Sequence, residues 1–232
     1  METPNTVTAE EWKAAREELL VKEKQHTRAR DALAAERRRM PWLEVEKEYE
    51  FEGPDGRLSL LDLFDGRRQL VVYRFFFDPD VKGYPEKGCP GCSMVADNVI
   101  NPVHINAKDT SLAFVSRAPQ EKIAALKEKM DWGLIPWYTL TDDFDEDHDV
   151  GEWHGTNAFI RDEDGNIFRT YFIDGRGDEQ MGSYFNYLDI TALGRQEKWE
   201  DSPEGYPQTD PWWNRHNEYS PEQLAGSFGK QS

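Results

Sequence analysis

Hydrophobic positions along this chain change their spacing several times, and each spacing predicts a different element. Residues 8–39 carry a thin apolar stripe at helical intervals among charged residues, and Thr8 with Glu11 predicts a capping box at the start of a helix. The stripe is weak over residues 22–26, where a break in the helix is an alternative. Pro41 ends the helix, because proline cannot continue the backbone hydrogen bonds.

Strand and helix patterns alternate through the middle of the chain. Residues 49–60 begin with alternating aromatic and acidic side chains and contain the turn sequence GPDG, which predicts a β-hairpin. The apolar run QLVVYRFFF, residues 69–77, predicts a strand buried on both faces, and SLAFVSR, residues 111–117, predicts a second one. The remaining predicted elements are a helix within CSMVADNV (92–99), an amphipathic helix over 118–132, a short strand over 135–142, a hairpin over 155–172 and a helix over 184–190.

This order of elements predicts an α/β fold, because strands that alternate with helices form sheets with right-handed crossovers. We divide the chain into an N-terminal helical extension (1–47), a central domain (48–200) and a C-terminal tail (201–232) that packs on the domain. The tail contains Trp212 and Trp213. They are expected to anchor it in a hydrophobic groove of the domain, or of a second subunit in a homodimer.

Charge and composition narrow the function classes. The 232 residues include 28 basic and 45 acidic ones, for a net charge of −17, and this balance argues against nucleic acid or an anionic membrane as a partner. No stretch approaches the roughly 20 apolar residues of a membrane-spanning helix. The first residues also lack the basic and apolar regions of a secretory signal, so a cytoplasmic location is expected.

The only two cysteines, Cys89 and Cys92, enclose Pro90 and Gly91 in the sequence CPGC, which lies between a predicted strand and a predicted helix. A pair this close in a cytosolic protein favours catalysis or metal binding over a structural role. At a helix N-terminus the backbone N–H groups lower the pKa of a thiol from about 8.5. We therefore interpret Cys89 as the nucleophile and Cys92, one helical turn later, as the resolving thiol.

Two alternatives to redox chemistry remain for this pair. A zinc site needs four ligands, so His148 and His154 would have to complete it, and their separation from Cys92 matches no compact zinc motif. The pair is otherwise structural or idle. Redox chemistry is favoured, and it requires no metal and no organic cofactor.

Four further residues are candidates for the same pocket. Arg117 ends the second central strand, so we expect it at the sheet edge of the cysteines, where a cation would lower a thiolate pKa or bind an acidic substrate group. Its alternative role is a salt bridge with a surface carboxylate. Trp153, His154 and Thr156 precede a hairpin strand and are expected to line the pocket, although a lone histidine is often structural. The loop 78–88 is either a lid or a surface insertion.

Residues 49–172 resemble the thioredoxin-like superfamily, particularly its peroxiredoxin and redoxin branches. The matching segments are DGRLSLLDLFDGRRQLVVYRFFF, CPGC, LAFVSR, IPWYTLTDD and GTNAFIRDEDGNIFRTY. Nearly the whole chain is also similar to an uncharacterised bacterial family of predicted dithiol–disulfide oxidoreductases. That similarity rests on the helix EWKAAREELLVKEKQHTRARDAL and on RRRMPW, GCPGCS and DPWWNRHNEY.

The resemblance implies a thioredoxin-like (peroxiredoxin/redoxin-type) central sheet flanked by helices, with an N-terminal helical extension and an aromatic C-terminal tail. It implies a thiol–disulfide oxidoreductase that acts on a disulfide-bearing substrate and is restored by a thiol reductant. A thiol peroxidase with a peroxide substrate and a non-enzymatic binding module are the alternatives. Thr156 departs from the pattern, because thioredoxins carry a cis-proline there, facing the CxxC.

Overall fold

An eight-stranded mixed sheet forms the centre of the protein. The computed structural model describes residues 5–81, 86–99, 101–150, 153–210 and 213–225. The strands are β1 (Leu43–Glu44), β2 (Glu50–Gly53), β3 (Gly56–Ser59), β4 (Gln69–Arg74), β5 (Thr110–Ser116), β6 (Trp137–Leu140), β7 (Gly155–Arg161) and β8 (Ile167–Ile173). Their order across the sheet is β1-β8-β7-β4-β5-β6-β2-β3.

The helices lie mostly between the strands, as the alternating pattern predicts. They are α1 (Ala9–Arg37), α2 (Pro90–Asp97), α3 (Val103–Asn106), α4 (Gln120–Lys129), α5 (Phe144–Asp147), α6 (Ser183–Asp189) and α7 (Pro221–Ala225), with 3-10 helices at Asp62–Phe64 and Gly175–Met181. No helix within the described ranges is long and apolar enough to cross a lipid bilayer.

The middle of the sheet has thioredoxin-like topology. Strand β4 pairs in parallel with β5 after a crossover that contains α2, and on its other side it pairs antiparallel with β7. Strand β7 then forms an antiparallel hairpin with β8. The predicted α/β, thioredoxin-like fold class is confirmed.

Alternation along the central strands divides the core between the two faces of the sheet. Leu70 and Val72 of β4 pack in one cluster, which also holds Phe51, Phe64 and the buried side chains of the β2–β3 hairpin region. Tyr73 packs in the other cluster, together with Cys92 and Ala96 of α2 and Ile123 and Leu126 of α4. The helix that begins at the cysteines is therefore packed on one face of the central strands.

The first central strand is shorter than its apolar pattern predicts. Residues 75–77 are buried phenylalanines, but β4 ends at Arg74. The backbone leaves the sheet because it pairs with the cysteine segment: Cys89 N–H donates to the carbonyl oxygen of Phe76 at 2.8 Å, and Phe76 N–H donates to Cys92 Sγ at 3.4 Å. The apolar run thus predicts the burial of residues 75–77 correctly, but only residues 69–74 adopt the predicted strand conformation.

The N-terminal helix forms as predicted. Thr8 and Glu11 make the capping box, and α1 continues through residues 22–26 without a break. Its large apolar residues Trp12, Leu19, Val21 and Leu33 stay exposed, and Arg37 lies 4.8 Å from the ring centre of Tyr171. Strand β1, inside the predicted extension 1–47, pairs with β8. The three-part division of the chain itself stays a prediction.

A buried ion cluster joins the ends of the two central strands. Asp145, on α5, is 1% exposed and accepts from Arg74 Nη2 at 3.2 Å and from Arg117 Nε at 3.1 Å. Arg74 is itself 2% exposed. Removing one partner of a buried pair leaves an uncompensated charge in a medium that solvates it poorly.

We predict that Asp145→Asn lowers the free energy of unfolding by about 3–5 kcal/mol, because Arg74 keeps its charge in the interior without a counter-ion. Urea denaturation measures the change. Asp147→Asn is the matched control: it lies on the same helix, and its ion pair with Lys47 is solvent-exposed. The control should lose much less stability. Equal losses in the two variants would contradict the role assigned to the buried cluster.

Candidate active site at the start of helix α2

Cys89 caps the N-terminus of α2 with extended backbone angles, φ −70° and ψ 132°, and Pro90 fills the first turn. Proline is favoured there because its missing N–H would have no helical partner. Gly88 precedes the cap with φ +65°, and a Cβ at this position would lie 2.5 Å from the Phe75 ring. Only glycine allows the chain to reach the helix start by this path.

Both thiols are free, and both are largely buried, with Cys89 8% and Cys92 2% exposed. The pKa of Cys89 is lowered to about 6. The largest cause is a hydrogen bond from the Cys92 thiol, and the backbone N–H groups of Cys92 and Gly91 and the charge of His154 add to it, while burial opposes it. Although the sulfur makes no cap hydrogen bond of standard geometry, the N–H groups of Gly91 and Cys92 act on it as donors and favour the thiolate.

Cys92 shows the opposite behaviour. Burial raises its pKa well above the ordinary value, and the neighbouring Cys89 anion raises it further. Hydrogen bonds from the Tyr73 hydroxyl and from Phe76 N–H only partly offset this. The proton therefore stays on Cys92 and the negative charge on Cys89, which makes the two thiols chemically unequal.

A buried carboxylate lies on the same side of the sheet. Asp178 is 3% exposed, and it accepts from Thr156 Oγ1 at 2.8 Å and from His154 Nδ1 at 3.1 Å. Burial is the largest cause that raises the pKa of Tyr73, and the charges of Cys92 and Asp178 raise it further. The charge of the carboxylate that contacts His154 thus acts on Tyr73, the residue whose hydroxyl bonds to the resolving thiol.

The remaining candidates from the sequence lie in different places. Trp153 is 53% exposed, and its ring centre lies 5.6 Å from that of Phe76 and 5.4 Å from that of His154. Arg117 is held by Asp145, whose carboxylate is buried rather than at the surface. The structure therefore brings Trp153 and His154 together near the cysteine segment and gives Arg117 a carboxylate as its partner.

His148 lies in the core cluster on the opposite face of the sheet, where its ring packs on Phe144 at 4.3 Å and Nδ1 bonds to the Phe144 carbonyl. Among the residues that the structure describes, no three or more His, Cys, Asp or Glu side chains converge as a metal site would require. The loop predicted as a lid or an insertion includes residues 82–85, which lie outside the described residues.

Several residues near the cysteines carry no signal in the sequence. Tyr73 is one aromatic residue within an apolar strand, and Asp178 follows the last hairpin in an acidic, glycine-rich segment. Arg215 is a third: it is 7% exposed and donates from Nε to the Lys87 carbonyl at 3.1 Å. The paired tryptophans are the sequence feature from which packing of the tail was predicted, and Trp212 lies outside the described residues.

Similar solved structures include a thiol:disulfide interchange protein from Bacteroides sp., with 16% identity, a TM-score of 0.43 and coverage of 65% of this chain and 91% of that one. A yeast mitochondrial 1-Cys peroxiredoxin matches with 14% identity, a TM-score of 0.39 and coverage of 71% and 84%. A peroxidoxin from Mycobacterium tuberculosis matches with 15% identity, a TM-score of 0.39 and coverage of 64% and 98%.

A comparison with curated proteins finds no match to this sequence. A family model described as a bacterial protein of unknown function, DUF899, matches residues 1–219. This match confirms the resemblance to an uncharacterised bacterial family that the sequence motifs indicate. The chain belongs to the DUF899 family.

Proposed function

We propose that this protein is a thiol–disulfide oxidoreductase in which Cys89 is the nucleophile and Cys92 the resolving thiol. One observation carries the proposal: two free, adjacent thiols have opposite pKa shifts, and the lowered one lies at a helix start. A thiolate attacks disulfides and a thiol does not, so at neutral pH only Cys89 is ready to react.

In the first step, the Cys89 thiolate attacks one sulfur of a substrate disulfide, R–S–S–R′. The new bond joins Cys89 Sγ to the R sulfur, the S–S bond of the substrate breaks, and R′S⁻ leaves and is protonated by solvent. The N–H groups of Gly91 and Cys92 stabilise the attacking anion before the reaction. Pro90, which has no N–H, gives the helix its first turn without competing for the sulfur.

In the second step, Cys92 loses its proton and attacks Cys89 Sγ. The mixed disulfide breaks, RS⁻ leaves, and the Cys89–Cys92 disulfide forms. Once Cys89 is bonded to substrate its negative charge is gone, which removes one cause of the raised pKa of Cys92. The Tyr73 hydroxyl, which donates to Cys92 Sγ, also favours the Cys92 thiolate that this step requires. An external thiol reductant supplies the two electrons that restore the dithiol.

We assign supporting roles to the residues on the β7 side. His154 favours the thiolate through its electrostatic interaction with Cys89, and Asp178 with Thr156 fixes the orientation of its ring. Trp153 borders the site beside Phe76. Arg117 has a structural role in this proposal, because Asp145 already neutralises its charge.

The same dithiol suits a thiol peroxidase, in which a peroxide oxygen adds to Cys89 to give a sulfenic acid and the remaining alcohol or water leaves. Cys92 then condenses with the sulfenic acid, releasing water and forming the same disulfide. A binding module that has kept the fold would use neither thiol. Variants of the two cysteines separate these three possibilities.

We predict that Cys89→Ser abolishes disulfide reduction and that Cys92→Ser, without added thiol reductant, stops after the first step, because the resolving thiol that releases the bound half of the substrate is missing. Intact-mass spectrometry should show a mixed disulfide on Cys89 in the Cys92→Ser protein. Peroxide consumption that persists in Cys92→Ser, with no disulfide reduction in the wild type, would favour the peroxidase instead. Unchanged disulfide reduction in Cys89→Ser would contradict the proposal.

We predict that His154→Gln raises the pKa of Cys89 by up to about one unit, because the variant loses a cation that favours the thiolate. Alkylation of Cys89 should slow in mildly acidic solution and reach the wild-type rate in alkaline solution, where the thiol ionises in both proteins. His104→Gln, an exposed site on α3, is the control and should leave the profile unchanged. A lowered pKa in His154→Gln would contradict the assigned role.

A further inference from the structure

The proposed nucleophile is almost covered. Cys89 is 8% exposed, although a thiolate that attacks a disulfide needs a straight path from its sulfur to the S–S bond. A disulfide in a folded protein carries bulky backbone on both sides, whereas a small disulfide fits a narrow opening. What covers Cys89 therefore decides which substrates reach it.

A residue of the C-terminal tail lies over the CPGC turn. A Cβ placed on Gly91 would be 3.3 Å from a ring carbon of Trp213 and 3.7 Å from Cys89 Sγ. The indole edge and the sulfur thus lie close to the same point above Gly91. Glycine at this position leaves the space that the indole needs, because any side chain would press against it.

Arg215 fixes this part of the tail to the chain just before the cysteines. Its guanidinium is buried, donates to the carbonyl oxygens of Lys87 and Gly88, and pairs with Glu218 at 2.8 Å. Lys87 also pairs with Glu218 at 2.7 Å. Charge-assisted bonds of this kind hold a segment in one position more firmly than neutral ones.

A second attachment lies at the other end of α2. Asp97, the last residue of that helix, contacts His216 Nδ1 at 2.8 Å and also accepts from Trp132 Nε1 at 2.8 Å. The tail segment 213–218 is therefore bonded to the chain before α2 and to its last residue. This double attachment limits the movement of the segment that carries Trp213.

We propose that Trp213 is a specificity-determining residue that limits the substrates of Cys89 to small-molecule disulfides and excludes disulfides of folded proteins. The inference rests on the proposed function for its chemistry, and the exchange steps are those given above. Arg215 is a positioning residue, since it acts by holding the tail segment. A device of this kind selects by steric exclusion of the wrong substrate rather than by added contacts to the right one.

The test compares two substrates, bis(2-hydroxyethyl) disulfide and insulin, in the full-length protein with a dithiol reductant. The wild type should reduce the small disulfide far better than insulin. Trp213→Ala should raise kcat/KM for insulin roughly tenfold and change that for the small disulfide by less than about twofold. Trp12→Ala, which removes an exposed tryptophan from α1, is the matched control and should change neither.

Equal efficiency of the wild type on both substrates, or an unchanged ratio in Trp213→Ala, would overturn the inference. If Trp213→Ala fails to fold, Trp213→Phe should shift the ratio in the same direction by a smaller factor, and no shift there counts against the inference. A wild type that reduces neither disulfide contradicts the proposed function instead.

Alkylation tests the steric claim without turnover. Iodoacetamide should modify Cys89 in both proteins at similar rates, and a maleimide on a polyethylene glycol chain should react much faster in Trp213→Ala than in the wild type. Equal acceleration with both reagents would show a loosened site rather than an opened one and would overturn the inference.

Discussion

The interaction on which the site depends is the contact of the Cys89 sulfur with the Cys92 thiol, which donates a hydrogen bond to it, and with the first N–H groups of α2. These groups are unpaired because a helix start has no earlier turn to supply carbonyl partners, and they stabilise the thiolate. The contact exists only because the helix start is bonded to the chain leaving β4, through Cys89 N–H to Phe76 and Phe76 N–H to Cys92. Burial of the second sulfur then separates the two thiols into a nucleophile and a proton-holding partner.

Segments far apart in the chain meet at this sulfur pair, and each contributes a different physical effect. Strand β4 supplies the Tyr73 hydroxyl and a buried apolar face, and the region before β7 supplies the charge of His154. The tail supplies the indole of Trp213. Thiol reactivity arises from the Cys92 thiol, the helix start and His154, whereas access arises from the tail. Substitutions at different residues should therefore change the reactivity of the thiol and the access to it independently.

The sequence predicted the parts of this arrangement that depend on local patterns. The periodicity located β4, β5, α4 and the β7–β8 hairpin, and the spacing in CPGC predicted a cap cysteine followed one turn later by its partner. It did not predict where β4 ends, because the turn at Phe76 depends on bonds to a segment more than ten residues away. Asp178 and Arg215 were missed because their burial also depends on distant segments. A sequence alone does not distinguish a charged residue that is buried from one that is exposed. A salt bridge to a surface carboxylate was the alternative role given for Arg117, but the sequence could not show that its partner is the buried Asp145.

The reduction potential of the Cys89–Cys92 pair, measured against pH, tests the central claim most directly. Reducing a disulfide takes up two protons below the pKa of the more acidic thiol and one above it, so the slope changes from about −59 to about −30 mV per pH unit at that pKa. We predict one intramolecular disulfide and a change in the slope of the reduction potential near pH 6, set by the pKa of Cys89. A single steep slope up to the pH range of an ordinary cysteine would show that the Cys92 thiol and the helix start do not stabilise the thiolate.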